Sequence, residues 1–482
     1  MLIRPLVARL LFLVAILGPF HYRVLIVGRE TIAAISTPAG IGAVGIVRIS
    51  GPNAKMVLEN VWISGLIKVE NFITHRLYYG KISTDNRIID NVLAVWMEDP
   101  HSYTGEDVVE IHCHGGSVST KNVLNAILGG GAKPAAPGEF TMRAFLNRKL
   151  DLAQAEGVAE VISATSEKAL RLASDQLNGK ISDEVHGLLE GLKEVKALVE
   201  ATIDFPEEDT ELIAEANVCE MLLPVQKRIG GLLSTYNEGR LIHDGVRAVI
   251  VGKPNVGKSS VLNALIGNER AIVHHTPGTT RDTIEESMEL GGILFSITDT
   301  AGIRESSCEI EKIGVKRSKE KLSSADIVLV VLDASRPLDK EDAEVLEETG
   351  SIERVILLNK SDIAENKDEE TFDFDDKTKK ISTSAVTGVG MEELKKALIS
   401  SVDKDALIDS DGAIITNLRH KHALDEADTA IGYSLEVISK KESAEFVAHH
   451  IQAAMNALMK ITGEVTTEDV LNSIFSKFCI GK

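Results

Sequence analysis

Cysteine is scarce in this chain. There are four in 482 residues (Cys113, Cys219, Cys308 and Cys479), and none stands at a paired spacing. That argues against a disulfide framework and fits a reducing compartment. Glycine and proline, at 38 and 12 residues, are near ordinary levels, so collagen-like and low-complexity readings fall away. Aromatic residues make up only 4%, yet 44% apolar and 26% charged is not the composition of a disordered chain. Positive charge is short as well: 52 Lys and Arg face 72 Asp and Glu, a net charge of −20. Such a surface does not draw nucleic acid by its bulk field. RNA, if it is a partner, must meet a local basic patch or arrive on another protein. No internal repeat is evident, and the length corresponds to roughly three domains.

The first thirty residues carry Arg4, Arg9, Arg23 and Arg29, with no acid before Glu30. Their apolar stretch, Leu10 to Leu17, is too short to span a bilayer, and no membrane association is expected. Three readings stand. A signal peptide fits the basic start, but no small-x-small cleavage site follows. An organellar presequence fits the arginines, but no serine precedes Ser36. An upstream extension outside the working fold, from a misplaced start, is the third. The expected location is cytoplasmic, or mitochondrial if the segment is a presequence.

Residues 1–29 are therefore read as an extension. Residues 30–149 show short apolar runs broken by Gly and Pro, such as Val44 to Ile49, Val92 to Trp96 and Val108 to Ile111. That pattern predicts a small α+β domain. Residues 150–243 are rich in Ala, Leu and Glu. Val185, Leu188, Leu192, Val195 and Val199 step by three and four, the stripe of a long helix. From 244 to 402, β-rich runs (Val249 to Val251, Leu294 to Ile297, Ile327 to Leu332, Val355 to Leu358) alternate with helical ones. This predicts a doubly wound α/β domain. Residues 403–482 return to helix and end in a tail. The simplest architecture inserts the α/β domain into a helical domain whose two halves flank it. The acidic run Glu365 to Asp376 reads as a solvated loop.

Gly252-Lys253-Pro254-Asn255-Val256-Gly257-Lys258-Ser259 follows a predicted strand and opens a predicted helix. This is a phosphate-binding loop in its proper context. Glycines let the backbone wrap phosphates, and N–H groups at the helix start supply positive potential. Lys258 is placed to reach the β- and γ-phosphates, and Ser259 to ligate Mg²⁺. Asn359-Lys360-Ser361-Asp362 ends a further strand, where a carboxylate can accept from guanine N1 and N2. Ser384-Ala385 would support the base edge. Asp299-Thr300-Ala301-Gly302 closes a strand where a γ-phosphate sensor belongs, and Thr280 within Gly278-Thr279-Thr280 is the natural second Mg²⁺ ligand. Each tetrapeptide alone is weak; four in this order describe a GTPase.

Many GTPases place Gln directly after the Asp-x-x-Gly turn to orient the attacking water. Here that position is Ile303, so another acid or amide is needed, and Glu305, Glu309 and Glu311 follow. Charge between the phosphates also needs neutralising, a role an arginine finger plays elsewhere. The amide oxygen of Asn255 could hold a monovalent cation there; a plain turn residue is the other reading.

With these motifs placed, residues from about Thr31 to Lys482 resemble the MnmE (TrmE) family of tRNA-modification GTPases. The resemblance rests further on Thr37-Pro38, on Val44 to Gly51, and on Tyr103-Thr104-Gly105-Glu106-Asp107 leading to His114-Gly115-Gly116. It extends through Pro137 to Thr141, Arg143 to Asn147 and Leu150 to Glu156, and to the ending Phe478-Cys479-Ile480-Gly481-Lys482. It implies a Ras-like GTPase domain inserted in a helical domain, behind an α+β domain that dimerises and binds 5-formyltetrahydrofolate or a related one-carbon folate. It implies potassium-stimulated GTP hydrolysis and a homodimer that joins an MnmG-like FAD protein in a heterotetramer. The implied product is a carboxymethylaminomethyl-type group at C5 of the wobble uridine of certain tRNAs.

By position, the resemblance assigns GTP to Asn255 through Ser260 (with Val256, Gly257, Lys258 and Ser259), to His274, His275, Thr276, Pro277, Gly278, Thr279 and Thr280, to Asp299 through Gly302, to Asn359 through Asp362, and to Ser384 and Ala385. It assigns potassium to Asn255, His274, Thr276 and Thr279, and the water-orienting acid to Glu311. It assigns folate to Arg48, Glu110, Lys149 and Lys482; a folate tail wants cations and a pterin edge a carboxylate. The stretch His274-His275-Thr276-Pro277 departs from the family pattern, which often has Thr or Ser first. Backbone carbonyls there could still hold the ion.

Cys479 reads either as a thiol for the folate–flavin reaction, among Lys477 and Lys482, or as a small contact in a docked tail. In His112-Cys113-His114 strand alternation sends the histidines away from the cysteine, so no metal site is expected. Arg419-His420-Lys421-His422 reads as a patch for tRNA phosphates or as a capped helix start. A function of another class, a ribosome-assembly switch, shares the GTPase motifs, but the tail lacks the Gly-x-x-Gly loop of a KH-like RNA binder.

Overall fold

The computed structural model describes residues 30–64, 66–85, 87–204, 211–267, 285–299, 322, 324–364, 378–402 and 412–482. It divides into two units, Met1–Ala159 with Asn456–Lys482, and Glu160–Met455.

In the first unit the short runs of β-branched residues become strands β1 (Ile32–Ile35), β2 (Val44–Ser50), β3 (Trp62–Ile63), β4 (Leu77–Thr84), β5 (Arg87–Met97), β6 (Val108–His114) and β7 (Lys133–Pro134). They form one seven-stranded sheet in the order β3-β4-β5-β6-β2-β1-β7. All neighbours are antiparallel except β1 and β7. Alternation sends Val47 and Ile49 of β2, Val92 and Ala94 of β5, and Val109, Ile111 and Cys113 of β6 to one face. The helices Ala54–Glu59 and Ser117–Gly129 cover that face with Val57, Leu58, Val123, Ala126 and Ile127. Arg48, Glu110 and His112 point the other way by the same period of two. A second small core joins Leu152 and Ala155 to Leu471, Phe475 and Phe478, so the C-terminal segment packs within this unit.

In the second unit the predicted stripe is buried: Val185, Leu188, Leu192, Val195 and Val199 all lie in the core, along the helix Lys180–Asp204. That helix packs on Glu211–Ser234, which in turn packs on Leu418–Ser439. The α/β portion contains β8 (Val246–Val251), β9 (Glu285–Leu290), β10 (Ile293–Asp299), β11 (Ile327–Asp333), β12 (Arg354–Asn359) and β13 (Lys379–Ser382). Their order is β13-β12-β11-β8-β10-β9, with every pair parallel except β9 and β10. The reversal of direction on either side of β8 is the doubly wound arrangement, and ligands of such sheets sit beyond the strands' carboxyl ends. The β9–β10 hairpin turns on Gly291-Gly292, whose φ angles of 58° and 77° match a two-residue turn with both centres left-handed.

The chain enters and leaves the α/β portion at one place. The Ile415 amide donates to Thr235 Oγ1 at 3.0 Å, just before the helix Tyr236–Asp244 that leads into β8. Asp326, at the start of β11, accepts from Arg240 on that helix at 2.8 Å and from the Arg247 amide at 2.9 Å. Burial works to raise the Asp326 carboxyl, but these donors outweigh it and hold its pKa below the ordinary value.

This junction makes an opposed pair of expectations. A Cβ at Gly239 would lie 2.4 Å from the Ile415 carbonyl oxygen. Gly239→Ala should therefore lower the urea midpoint of unfolding, although alanine is the better helix former. Gly230, in the helix Glu211–Ser234, has no described atom within 4 Å of such a Cβ, so Gly230→Ala should stabilise by about 0.5–1 kcal/mol. Equal shifts in the two variants would show that the junction yields to the extra methyl group.

Candidate nucleotide site and the Arg48–Glu110 face

Strand β8 is buried from Ala248 to Val251 and delivers the chain to Gly252 at the carboxyl edge of the sheet. The loop then needs backbone angles that side chains resist. Gly252 has φ 149°, and a Cβ there would lie 2.3 Å from the Val331 carbonyl oxygen. Asn255 is left-handed at φ 65° and exposed, a conformation Asn tolerates better than most residues. Gly257 has φ 98° and starts the helix Lys258–Ile266 with no side-chain cap. The first-turn N–H groups carry the positive end of the helix dipole. Lys258 curls back so that Nζ donates to the carbonyl oxygens of Gly252 at 3.0 Å and Lys253 at 2.7 Å. An ammonium over a nest of N–H groups fits a polyphosphate. Val256 is buried, while Ser259 and Ser260 are exposed on the first turn, where Ser259 could hold Mg²⁺.

Asn359 ties this loop to the candidate base-reading segment Asn359–Asp362. It ends β12, is 2% exposed, and donates from Nδ2 to the Val256 carbonyl oxygen at 2.8 Å. Its Oδ1 accepts from the Ala385 amide at 3.2 Å. A Cβ at Gly257 would lie 2.3 Å from Asn359 Nδ2, so glycine is required there twice over, for φ and for space. Ser384 is buried after β13, its amide donating to the Val389 carbonyl at 3.0 Å, and the Ser361 amide donates to Thr383 at 3.1 Å. These bonds place Asp362, exposed, beside Ser384-Ala385 on one rim. Lys360, left-handed at φ 66°, donates from Nζ to Asp333 at 2.7 Å. Burial would raise the Asp333 carboxyl, yet Lys360 and Ser335 bonds hold it below its usual value.

Asp299 ends β10 in register with Ile250 of β8, which puts its backbone at the same edge as the phosphate loop. Thr300, Ala301 and Gly302, the stretch His274 to Thr280, and Glu311 lie outside the described residues, as does Glu365 to Asp376.

On the open face of the first unit, Arg48 Nε donates to Glu110 Oε1 at 2.9 Å, across directly paired strands. The guanidinium also lies 5.4 Å from the Tyr103 ring centre and 5.7 Å from that of Phe140. The Phe140 amide donates to the Lys482 carbonyl oxygen at 3.3 Å, and Ser36 Oγ donates to the Gly481 carbonyl at 3.2 Å. Gly481, at φ 96°, sits where a Cβ would meet the Ile35 carbonyl oxygen at 2.2 Å. So the tail is docked beside Arg48 and Glu110. Lys149 packs on Gly105 and donates to the Pro100 carbonyl at 3.1 Å, in the loop that carries Tyr103. Arginine and carboxylate side by side, with aromatic rings above, fit a ligand that has an acidic tail and a hydrogen-bonding ring. Cys479 is exposed in the tail's turn.

Cys113 faces the core, where burial pushes its thiol up to about 11. His112 and His114 are directed elsewhere, His114 Nδ1 pairing with Asp90 at 2.7 Å. The Arg419–His422 segment takes the capped-start reading: Asn417 Oδ1 accepts from the Arg419 amide at 2.9 Å, and His420 is fully buried.

Sequence reading missed the supports of both sites. Arg143 is 2% exposed and ion-pairs with Glu106 at 3.0 Å and Glu139 at 2.8 Å, while Glu106 also accepts from Ser50 at 2.7 Å. The signal was there in the quoted Gly-Glu-Asp and Arg-Ala-Phe stretches, but long-range pairing has no local pattern. Lys253 and its two carboxylate partners were missed for the same reason.

A family model described as the MnmE helical domain matches residues 152–479, and one described as the N-terminus of the GTP-binding protein TrmE matches 31–149. The tRNA modification GTPase MnmE of Heliobacterium modesticaldum is 44% identical over 469 residues, spanning 94% of this chain and 99% of that protein. Those of Clostridioides difficile and Natranaerobius thermophilus are 43% and 41% identical with the same shares covered. No helix among the described residues is long and apolar enough to cross a membrane. With both family models matched in order along the chain and relatives this close end to end, the chain belongs to the MnmE (TrmE) family of tRNA modification GTPases.

Proposed function

We propose that the chain is the GTP-hydrolysing component of a wobble-uridine modification enzyme. The observation that supports this best is the double hydrogen bond of Asn359, which holds a phosphate loop and a guanine-reading rim in one frame. GTP lies with its phosphates over the Gly252–Ser259 nest and its base against Asp362 and Ser384-Ala385. Lys258 leaves its carbonyl partners for the β- and γ-phosphates. Ser259 and Thr280 would hold Mg²⁺. Asn255, with His274, Thr276 and Thr279, would hold potassium, which supplies the positive charge that an arginine finger provides elsewhere. Glu311 orients the attacking water, since Ile303 cannot.

Arg48, Glu110, Lys149 and the tail ending at Lys482 bind a one-carbon folate. Two chains pair through the first unit and join an MnmG-like FAD protein. GTP turnover then drives movement that serves addition of a carboxymethylaminomethyl-type group at C5 of the wobble uridine. The docked tail beside Arg48 supports this reading over a ribosome-assembly switch, which has no use for an anion-binding face there. A tRNA digest from a deletion strain should lack the C5 substituent; retention without a second copy of the gene would refute the assignment. Co-purification of ribosomal subunits in place of a flavoprotein would favour the switch.

Asp362→Asn should weaken GTP binding at least about tenfold and improve xanthosine nucleotides, because the carboxylate's two guanine donors lose their acceptor. Competition against a fluorescent guanine nucleotide measures both; unchanged GTP affinity would remove Asp362 from base reading.

Glu311→Ala should cut turnover about 10²-fold while sparing affinity, the scale of a positioned acid–base group. Turnover of the unaltered chain should fall when potassium chloride is replaced by sodium chloride at equal ionic strength. Equal rates in the two salts would exclude the Asn255 cation.

A further inference from the structure

The phosphate loop contains a second lysine that does not face the nucleotide. Lys253 is 5% exposed, and its Nζ lies 2.7 Å from Asp342 Oδ2 and in direct contact with Asp339. Asp342 is 3% exposed. Both acids begin the helix Lys340–Glu348, where they cap each other's ends. Asp339 Oδ1 accepts from the Glu341 and Asp342 amides at 3.0 and 3.3 Å, and Asp342 Oδ2 accepts from the Asp339 amide at 3.2 Å. Arg336 is a further cation near this group among the described residues, and it lies 3.7 Å from Asp333. That same Asp333 receives Lys360 of the base-reading segment.

The segment Asp333–Asp342 is therefore held to both halves of the nucleotide site, by Lys360 at one end and by Lys253 at the other. Lys253 also offers its carbonyl oxygen to Lys258 Nζ at 2.7 Å. A buried ammonium between two buried or capped carboxylates is costly to form and costly to break, so it fixes geometry more than it adds stability. Nothing in phosphate chemistry calls for a cation at this loop position pointing away from the ligand.

We propose that Lys253 is a positioning residue for GTP binding. Anchored by Asp339 and Asp342, it sets the backbone of the phosphate loop and the carbonyl on which Lys258 rests before the triphosphate arrives. The inference rests on the reading of this loop as the GTP site.

The test uses the full chain and three variants: Lys253→Arg, Lys253→Met, and Lys253→Met with Asp342→Asn, which leaves no unpaired buried charge. Dissociation constants for fluorescent GDP and a non-hydrolysable GTP analogue, turnover at saturation, and the nucleotide-free melting temperature are measured for each. The Met variant and the double variant should bind nucleotide at least about tenfold more weakly, the scale of a lost charged hydrogen bond. KM should rise more than kcat falls, and Lys253→Arg should recover most of the affinity. A double variant that melts lower but binds nucleotide as the unaltered chain does would reduce Lys253 to a packing role and overturn the proposal. Failure of the unaltered chain to bind either nucleotide would instead overturn the reading of the site.

Discussion

The nucleotide site depends on one buried amide. Asn359 uses its nitrogen for Val256 and its oxygen for Ala385, so two loops from opposite halves of the sheet are fixed to a single side chain. The Val256 bond is buried and the Ala385 bond partly so, and in the interior the desolvation cost of a lost partner is not refunded by water. An aspartate here could not donate to Val256, and an alanine would leave a carbonyl and an amide unmet. The glycine at 257 is part of the same constraint, since any side chain there would strike the amide. In the proposed site, geometry at the phosphates and at the base is thus not independently adjustable.

The first unit solves a related problem with charge. Arg143 is among its most deeply buried side chains, and it holds Glu106, Glu139 and the Glu30 carbonyl oxygen. Glu106 passes the constraint on to Ser50, next to Arg48 by one strand alternation. The loop bearing Tyr103 and Thr104 is held against β2 by the Ser50–Thr104 hydroxyl contact at 2.7 Å. A buried ion cluster of this kind adds little net stability, but breaking it leaves an unpaired charge, which favours one arrangement over its neighbours. The Arg48–Glu110 pair is then fixed in place on that face, with both side chains partly exposed.

Local regularities were legible in the sequence. The 3.6-residue stripe of the long helix and the strand runs follow from periodicity, and the described structure carries them in those places. Of the GTPase motifs it describes Gly252–Ser259, Asn359–Asp362 and Ser384-Ala385, while Gly278–Thr280 and Thr300–Gly302 lie outside the described residues. Alternation alone set Cys113 and the flanking histidines on opposite faces, and the structure turns Cys113 to the core. Long-range partners were not legible. Lys253 with Asp342, Lys360 with Asp333 and Arg143 with Glu106 join residues tens of positions apart, and each residue read singly is an ordinary surface charge. Nor did the helical character of the last residues reveal that Asn456–Lys482 groups with the first unit; that follows from the burial of Leu471, Phe475 and Phe478 against Leu152.

The charge balance constrains how the proposed tRNA is met. At −20 the chain repels a polyanion overall, and Arg419, His420 and Lys421 of the densest basic group of its C-terminal helices have partners within the protein. His420 is buried, Arg419 shares a hydrogen bond with it at 2.9 Å, and Lys421 is paired with Asp425 at 2.8 Å. Each phosphate contact needs a cation whose counterions can be released, and a cation already paired inside the protein releases few. RNA affinity must then come from residues elsewhere in the chain or from a partner. That balance fits the proposed arrangement, in which a partner subunit would supply part of the RNA binding.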